Sequence, residues 1–101
     1  MSQNPSDVSR QVQALLGQGE QLVVVIPTPQ RIISVTNRRL FLHESSGMFS
    51  TIRHASISAV EVSSGRGSEK FVKLFFGDLS RTISTPDDST LAALLRVLGT
   101  V

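Results

Sequence analysis

The 101-residue sequence contains no cysteine, no tryptophan and no tyrosine, and these absences narrow its possible chemistry. Without cysteine the chain has no disulfide framework and no thiolate nucleophile. Without tryptophan and tyrosine it lacks most of the side chains on which single-stranded nucleic acids stack, and this argues against a nucleic-acid partner. No apolar run approaches the ~20 residues of a membrane span, and the polar N-terminus does not resemble a signal peptide. We therefore expect a cytoplasmic protein.

The charge balance is less basic than the isoelectric point suggests. The pI is about 9.9 but the net charge is only +2, because no tyrosine or cysteine titrates between neutrality and the lysine and arginine range. The pI therefore overstates any attraction to nucleic acid or to anionic lipid. Any binding of an anionic surface would need arginines that the fold brings together.

The N-terminal segment has the pattern of a short amphipathic helix. Asn4 and Pro5 form a helix start, and apolar residues then recur at helical spacing from Val8 to Leu16. Gly17 ends the segment, which is too short to be stable unless it packs against something else. We expect residues 1–3 to be disordered and residues 4–101 to form a single domain.

Seven strand-like segments follow, separated by turns about every 8–12 residues. Asn37 lies in the second of these turns and suits the positive φ that a tight hairpin requires. The predicted strands are Gln21–Ile26, Arg31–Thr36, Leu40–His43, Met48–His54, Ile57–Ser63, Glu69–Phe76 and Ser80–Ser84.

A second amphipathic helix ends the chain. Thr85, Pro86 and Asp87 repeat the helix start seen at Asn4, and leucines recur at i, i+3, i+4 and i+7 from Leu91 onward. The fold class is therefore mostly β, of the α+β type. We expect a seven-stranded antiparallel meander that forms a small barrel or sandwich, with a C-terminal capping helix and a short N-terminal helix.

Two short motifs resemble those of a known family. Gly19-Glu20-Gln21-Leu22 opens the first strand, and Thr36-Asn37-Arg38-Arg39-Leu40-Phe41 spans the first hairpin. Together they resemble the bacterial pleckstrin-homology-like (PH-like) domains and the related GRAM domains, over roughly residues 15–99. The resemblance implies a binding or assembly module rather than an enzyme, and some bacterial PH-like domains form ring oligomers.

The resemblance does not carry over a phosphoinositide site. Phosphoinositide-binding PH domains resemble one another in a basic set around the first strand, the turn after it and the second strand, whereas this sequence has no lysine or arginine between Val12 and Gln30. The basic residues that remain, if the strands bring them together, would give an anion or lipid patch for weak binding to a membrane surface. The alternative is a solvated turn in which Arg39 pairs with an acid or lies on an apolar surface. The candidate patch consists of Arg31, Arg38, Arg39 and Arg53.

Apolar residues on both faces of two strands indicate a surface that needs a cover. The first strand does not alternate, so its outer face must be covered by the N-terminal helix or by a second protomer. Phe71 and Phe75 raise the same question on the sixth strand. We therefore predict a homo-oligomer or a protein partner. The candidate self-association residues are Leu22, Val24, Ile26, Phe71 and Phe75.

No motif predicts catalysis, a metal, a cofactor or a small-molecule substrate. His43, His54 and Glu44 fit no metal-ligand spacing, and the histidines are interpreted as surface residues at strand ends. The glycine-rich stretch 64–68 is followed by no helix and is interpreted as a mobile hairpin loop. The serines lack a nucleophile elbow. The sequence thus predicts a module that is not an enzyme.

Overall fold

The computed structural model describes residues 5–28, 30–44 and 46–99, with the side chains of the first helix described from residue 7 onward. It separates into two compact units, Met1–Ile52 and Arg53–Val101. The predicted disorder of residues 1–3 and the cap at Asn4 lie outside the described residues. The elements are α1 (Pro5–Leu15), β1 (Leu22–Pro27), β2 (Arg31–Thr36), β3 (Arg39–Glu44), β4 (Phe49–Arg53), a 3₁₀ turn (His54–Ser56), β5 (Ala59–Ser64), β6 (Lys70–Phe76), β7 (Leu79–Thr85) and α2 (Asp88–Val97).

The first sheet has the strand order β1-β2-β3-β4. Its central hairpin pairs Ile32 with His43 and Val35 with Leu40. In β2 every residue after Arg31 is buried, so both faces of this strand are covered. One face is lined by Ile33, Val35, Leu40 and Leu42, all of which are buried. The loosely alternating sequence of β2 therefore forms a strand that is buried on both faces.

Strand β1 is less completely buried than its apolar run predicts. Its pairing with β2 shifts between Leu22 and Val24, which marks an irregularity of the β-bulge type. Val23 lies at this shift, and 48% of its surface is exposed. Ile26, beyond the shift, is fully buried. The prediction that both faces are buried thus holds at Ile26 and is wrong at Val23, because the bulge turns one side chain out of the alternation.

The hairpin turn between β2 and β3 is built differently from the prediction. Among the described residues only glycines have a positive φ, so Asn37 does not adopt the left-handed conformation expected of it. Asn37 instead stabilises the turn through its side chain, which bonds the backbone at the start of β1. A short amide side chain suits both roles, and the sequence alone does not separate them.

The second sheet has the order β5-β6-β7, and its registers are antiparallel throughout. Val72 and Leu74 of β6 and Ile83 of β7 are buried on one face. Val62 pairs with Val72, yet 47% of its surface is exposed. It lies on the edge strand β5, where residues from Glu61 to Ser64 are all exposed.

Helix α2 begins later than the sequence motif predicts. Thr85 is not its cap: it is the last residue of β7, is fully buried, and donates a hydrogen bond from Oγ1 to the carbonyl of Lys70 at 3.0 Å. Asp87 caps the helix instead, accepting from the Thr90 N–H at 2.8 Å. This bond lowers the pKa of Asp87 below its usual value. Leu94, on the inner face of α2, is fully buried.

The predicted order of a helix, seven antiparallel strands and a helix is confirmed. The described strands form two separate sheets, so the barrel alternative with one closed ladder is not formed. Within each unit a helix packs against its sheet, α1 on β1 and β2 and α2 on β7. The assignment of residues 4–101 to one domain stays a prediction.

Candidate functional site

A buried carboxylate joins the start of β1 to the β2–β3 turn. One oxygen of Glu20 accepts from the Gly17 N–H and from Arg39 Nη2, both at 3.0 Å. The other accepts from Thr36 Oγ1 at 2.7 Å and from Arg39 Nε at 2.9 Å. Arg39 Nη2 also donates to the carbonyl of Leu15 at 3.0 Å, at the end of α1. The pair therefore fastens three segments that are distant in sequence.

The protonation of Glu20 reflects this arrangement. The bond from the Arg39 side chain lowers its pKa from 4.5 to about 2, and the bonds from the Gly17 N–H and the Thr36 hydroxyl act in the same direction. Burial of the carboxyl acts in the opposite direction and is outweighed. Glu20 is thus a carboxylate at neutral pH, held by a bidentate guanidinium and not available as an acid or base.

Two further residues of the family-like motif complete this joint. Asn37 Oδ1 accepts from the Gln21 N–H at 2.7 Å, and Asn37 Nδ2 donates to the Gly19 carbonyl at 3.1 Å. A Cβ on Gly19, whose φ is +79°, would lie 3.2 Å from Arg38 Nη2, so the guanidinium passes close over the glycine. The motif residues therefore form a structural joint between α1, β1 and the first hairpin.

The four arginines of the candidate anion patch are not equivalent. Arg39 is bound to Glu20 and lies 4.7 Å from the centre of the Phe41 ring, as the alternative interpretation predicted. Arg31 forms an ion pair with Glu44 at 3.6 Å. Arg38 and Arg53 are exposed. Arg31 and Arg38 also lie at opposite ends of the β2–β3 hairpin, about 17 Å apart for five strand residues. A patch role for the set stays a prediction.

The outer face of β1 and β2 is covered by the chain's own helix. Val8 and Val12 of α1 are buried against Ile32 and Phe41. Leu22, a predicted self-association residue, is among the partly buried residues packed against this cluster; the others are Leu16 and Val25. Of the other predicted residues on β1, Ile26 is buried and Val24 is half-buried. The sequence left open whether the N-terminal helix or a second protomer covers this face, and within the described residues it is the helix.

The outer face of β6 has a different character. Phe71 and Phe75 are half-buried and alternate with the exposed Lys73. The strand partners of Phe71 are Ser63 and Ser84, and those of Phe75 are Ala59 and Ser80. The strand partners of Lys73 are Glu61 and Thr82. We call these nine residues the Phe71–Phe75 face: two aromatic rings and the register pair of Glu61 and Lys73, with serine, alanine and threonine at the other positions.

His43 is the site residue that the sequence analysis misplaced. It is only 2% exposed, not a surface residue, and its ring centre lies 5.6 Å from that of Phe49 and 6.1 Å from that of Phe41. Nε2 is buried and forms no hydrogen bond among the described residues. Burial lowers the pKa of His43 below 6.5. The signal in the sequence was its spacing: His43 is two residues beyond Phe41 and so shares its face.

The described residues offer little else that could act chemically. In the described ranges, no group of three or more histidine, aspartate or glutamate side chains is placed to hold a metal ion. Within the same part of the chain, no helix is both long and apolar enough to cross a membrane. What the fold presents is therefore a set of surfaces.

Comparison with known proteins identifies the fold. No protein-family model matches the sequence, and no curated protein does. Among solved structures, a DUF1696 family protein with a pleckstrin-homology domain from Shewanella loihica PV-4 is similar over 99% of this chain and 100% of its own, with a TM-score of 0.66 and 16% identity. A pleckstrin homology domain from Shewanella amazonensis SB2B is similar over 94% of this chain and 98% of its own, with the same TM-score and identity. The chain has the PH-like fold; the relation to GRAM domains stays a prediction.

Proposed function

We propose that this PH-like chain is a non-catalytic, cytoplasmic binding module that associates with a second copy of itself through the Phe71–Phe75 face. The PH-like fold supports a binding role in general, because bacterial PH domains share it over almost their whole length. The choice of surface follows from the contacts within each unit. The apolar face of β1 has its own helix as a cover, whereas Phe71 and Phe75 remain partly exposed.

The small residues beside the two rings favour contact with a flat partner. Serine and alanine flank Phe71 and Phe75 on the neighbouring strands. The long side chains near the rings are Glu69, close to Phe71, and Lys73, over Phe75. Aromatic residues are the anchors that protein interfaces most often use. A second phenylalanine pair can reach these rings once the flexible Lys73 side chain moves aside.

The charges on the face suit a second copy better than a charged partner. Lys73 and Glu61 are register partners, so the face carries one positive and one negative group at its centre. A two-fold interface is self-complementary, and a face with both signs satisfies that condition. Across such an axis, Lys73 of each copy would approach Glu61 of the other. Lys73 Nζ also lies 5.2 Å from the centre of the Phe75 ring, which keeps the cation close to the apolar surface.

The association is expected to be weak. Full burial of a phenylalanine contributes roughly 1.5–3 kcal/mol, and both rings are already mostly buried, so each gains at most about a third of that. The loss of translational and rotational freedom opposes association by roughly 4 kcal/mol or more. We therefore expect a dissociation constant in the millimolar range, with monomer predominant at high dilution.

Analytical ultracentrifugation over a wide range of protein concentration tests this proposal. The wild-type protein should show a reversible monomer–dimer equilibrium, and Phe75→Glu should abolish it. Met48→Ser is the matched control, because Met48 is the most exposed large apolar side chain among the described residues and belongs to the other unit. A wild-type protein that stays monomeric up to millimolar concentration would refute self-association, as would an unchanged dimer in Phe75→Glu.

Weak binding to an anionic membrane is a second proposal, and it now depends on the exposed Arg38 and Arg53. Each basic residue near an anionic surface contributes about 1 kcal/mol, so two give marginal, salt-sensitive binding. Sedimentation with phosphatidylserine vesicles at low and high salt measures it. Arg38→Ala should lower the bound fraction at low salt. Binding that is equal on neutral phosphatidylcholine vesicles would exclude this second function.

A further inference from the structure

The aromatic side chains at the β4 edge of the first sheet enclose a histidine in an unusual way. The rings of Phe41, His43 and Phe49 lie mutually within 6.1 Å, and those of His43 and Phe49 are closest, at 5.6 Å. His43 is almost completely buried, whereas 47% of Phe49 is exposed. Phe49 therefore separates the buried His43 ring from solvent by a single side chain.

Protonation of His43 would conflict with this packing. An imidazolium needs hydrogen-bond acceptors for both ring nitrogens, and the buried Nε2 has no acceptor within the described residues. No carboxylate is within ion-pair distance of the ring there. The charged side chains on the elements around the ring are engaged elsewhere or exposed: Arg31 and Glu44 pair with each other, Arg39 binds Glu20, and Arg53, Asp7 and Arg10 are exposed.

The route by which water reaches the ring can be inferred from the contacts. On the Phe41 side, α1 is held by the fully buried Val12 and by the bond from Arg39 to the Leu15 carbonyl. On the other side, Phe49 belongs to β4, the edge strand of the sheet, in which only Ile52 is buried. Moving Phe49 breaks fewer contacts than moving α1.

We propose that His43 is a proton-sensitive switch for the edge of the first sheet: in mild acid its ring takes up a proton and displaces the Phe49 side chain. The opened state exposes an imidazolium beside the Phe41 ring, a surface that the neutral state hides. This inference concerns the first unit only and does not depend on self-association through the Phe71–Phe75 face.

The expected pH range follows from the sign of the shift. A histidine with a folded-state pKa below 6.5 favours the closed state fully above that value. The advantage is lost progressively as the pH falls from 6.5 toward the folded-state pKa. Each unit by which the pKa lies below 6.5 corresponds to about a tenfold change in the opening equilibrium.

Proton NMR of the histidine ring protons tests the proposal on the wild-type protein. The midpoint of His43 should lie below 6.5, and Phe49→Ala should raise it toward 6.5 because water then reaches the ring. His54→Gln is the control and should leave the His43 midpoint unchanged. A wild-type midpoint at or above 6.5, or a Phe49→Ala midpoint no higher than that of the wild type, would overturn the proposal.

Hydrogen exchange measures the opening itself. After correction for intrinsic exchange rates, the protection of β4 amides should be constant above about pH 6.5 and should fall as the pH is lowered below that value. The loss should be about tenfold for each pKa unit that NMR finds. His43→Phe should abolish this pH dependence, since a phenyl ring takes up no proton. Equal loss of protection in His43→Phe would contradict the switch.

Discussion

The two sheets of this protein differ in how far their apolar outer faces are covered: a helix packs on that of the first sheet, whereas that of the second stays partly exposed. On the first sheet, α1 covers Ile32 and Phe41, and a buried Glu20–Arg39 pair fastens the end of that helix. On the second, α2 packs against β7, and the Phe71–Phe75 face has two half-buried rings. Each sheet carries aromatic residues on its outer face, so apolar patterning alone does not tell which face is open.

The two sheets also differ in their ion pairs: the first has a buried Glu20–Arg39 pair, whereas the charges on the second are exposed. The helix that covers the first sheet is held by the Glu20–Arg39 pair, in which the Glu20 carboxylate accepts four hydrogen bonds. The central charges of the second sheet, Glu61 and Lys73, are both exposed. Substitutions in the first region should therefore change the free energy of unfolding, whereas substitutions in the second should change association with little effect on folding.

The largest effect is expected for Arg39→Ala. It leaves the Glu20 carboxylate, whose side chain is only 2% exposed, without its guanidinium. Removing one partner of a buried ion pair typically costs 3–5 kcal/mol, and the partial exposure of Arg39 reduces this to about 3 kcal/mol. Urea denaturation measures the loss. Glu20→Gln is the matched control and should lose less, because the partly exposed Arg39 can then bind water. An equal loss of unfolding free energy in Arg39→Ala and Glu20→Gln would show that the unpaired Glu20 carboxylate carries no extra cost.

Truncation of the covered face comes next. Val12→Ala removes two methyl groups from a fully buried site in α1 and should lower the free energy of unfolding by about 1.5–2.5 kcal/mol. Phe71→Ala removes more atoms but from a half-buried site. Per buried atom it should lose less stability, and it should weaken the dimer. If Phe71→Ala destabilised the monomer by the 3–5 kcal/mol of a core phenylalanine, the open-face description would be wrong.

Acid should weaken the first region in a defined range. The folded-state pKa of Glu20 is about 2 and its ordinary value is 4.5, so its stabilising contribution is present above 4.5. That contribution is lost as the pH falls from 4.5 toward 2. The urea midpoint of the wild type should fall steeply there, and Arg39→Ala should show a shallower fall. An identical pH profile for the two proteins would exclude the pair as the cause.

The smallest effect on stability is expected for Gly65→Ala. A Cβ there would lie 2.6 Å from Glu69 Oε1 and 2.9 Å from the Phe71 ring, so both side chains must shift. The shift should weaken the 2.9 Å bond from Ser84 Oγ to Glu69, at a cost of about 1 kcal/mol. Since Phe71 moves with it, the dimer affinity should change more than the free energy of unfolding.

Local patterns predicted the fold well where the sequence and the packing agree. The seven strands follow from β-branched and alternating segments, and the helices from caps and leucine spacing. The errors lie where one residue had two possible roles. Thr85 has the features of a cap but ends β7, and Asn37 suits a left-handed turn but accepts from the Gln21 N–H, just before β1.

The candidate site was predicted less well because its determinants are long-range. The Glu20–Arg39 pair joins positions 19 residues apart, and no local pattern indicates that the two side chains meet. His43 was interpreted as a surface residue because a polar residue at a strand end usually is one. Only the register of β2 with β3, together with Phe49 on the next strand, reveals that its ring is enclosed.

The central claim is that the second sheet, and not the first, carries the association surface. Amide chemical shifts recorded by two-dimensional NMR at increasing protein concentration test it most directly. We predict concentration-dependent shifts at Phe71, Lys73 and Phe75 and in the facing residues of β5 and β7, with none at Leu22 or Val25. Shifts confined to α1 and β1, or none at any concentration, would contradict the account.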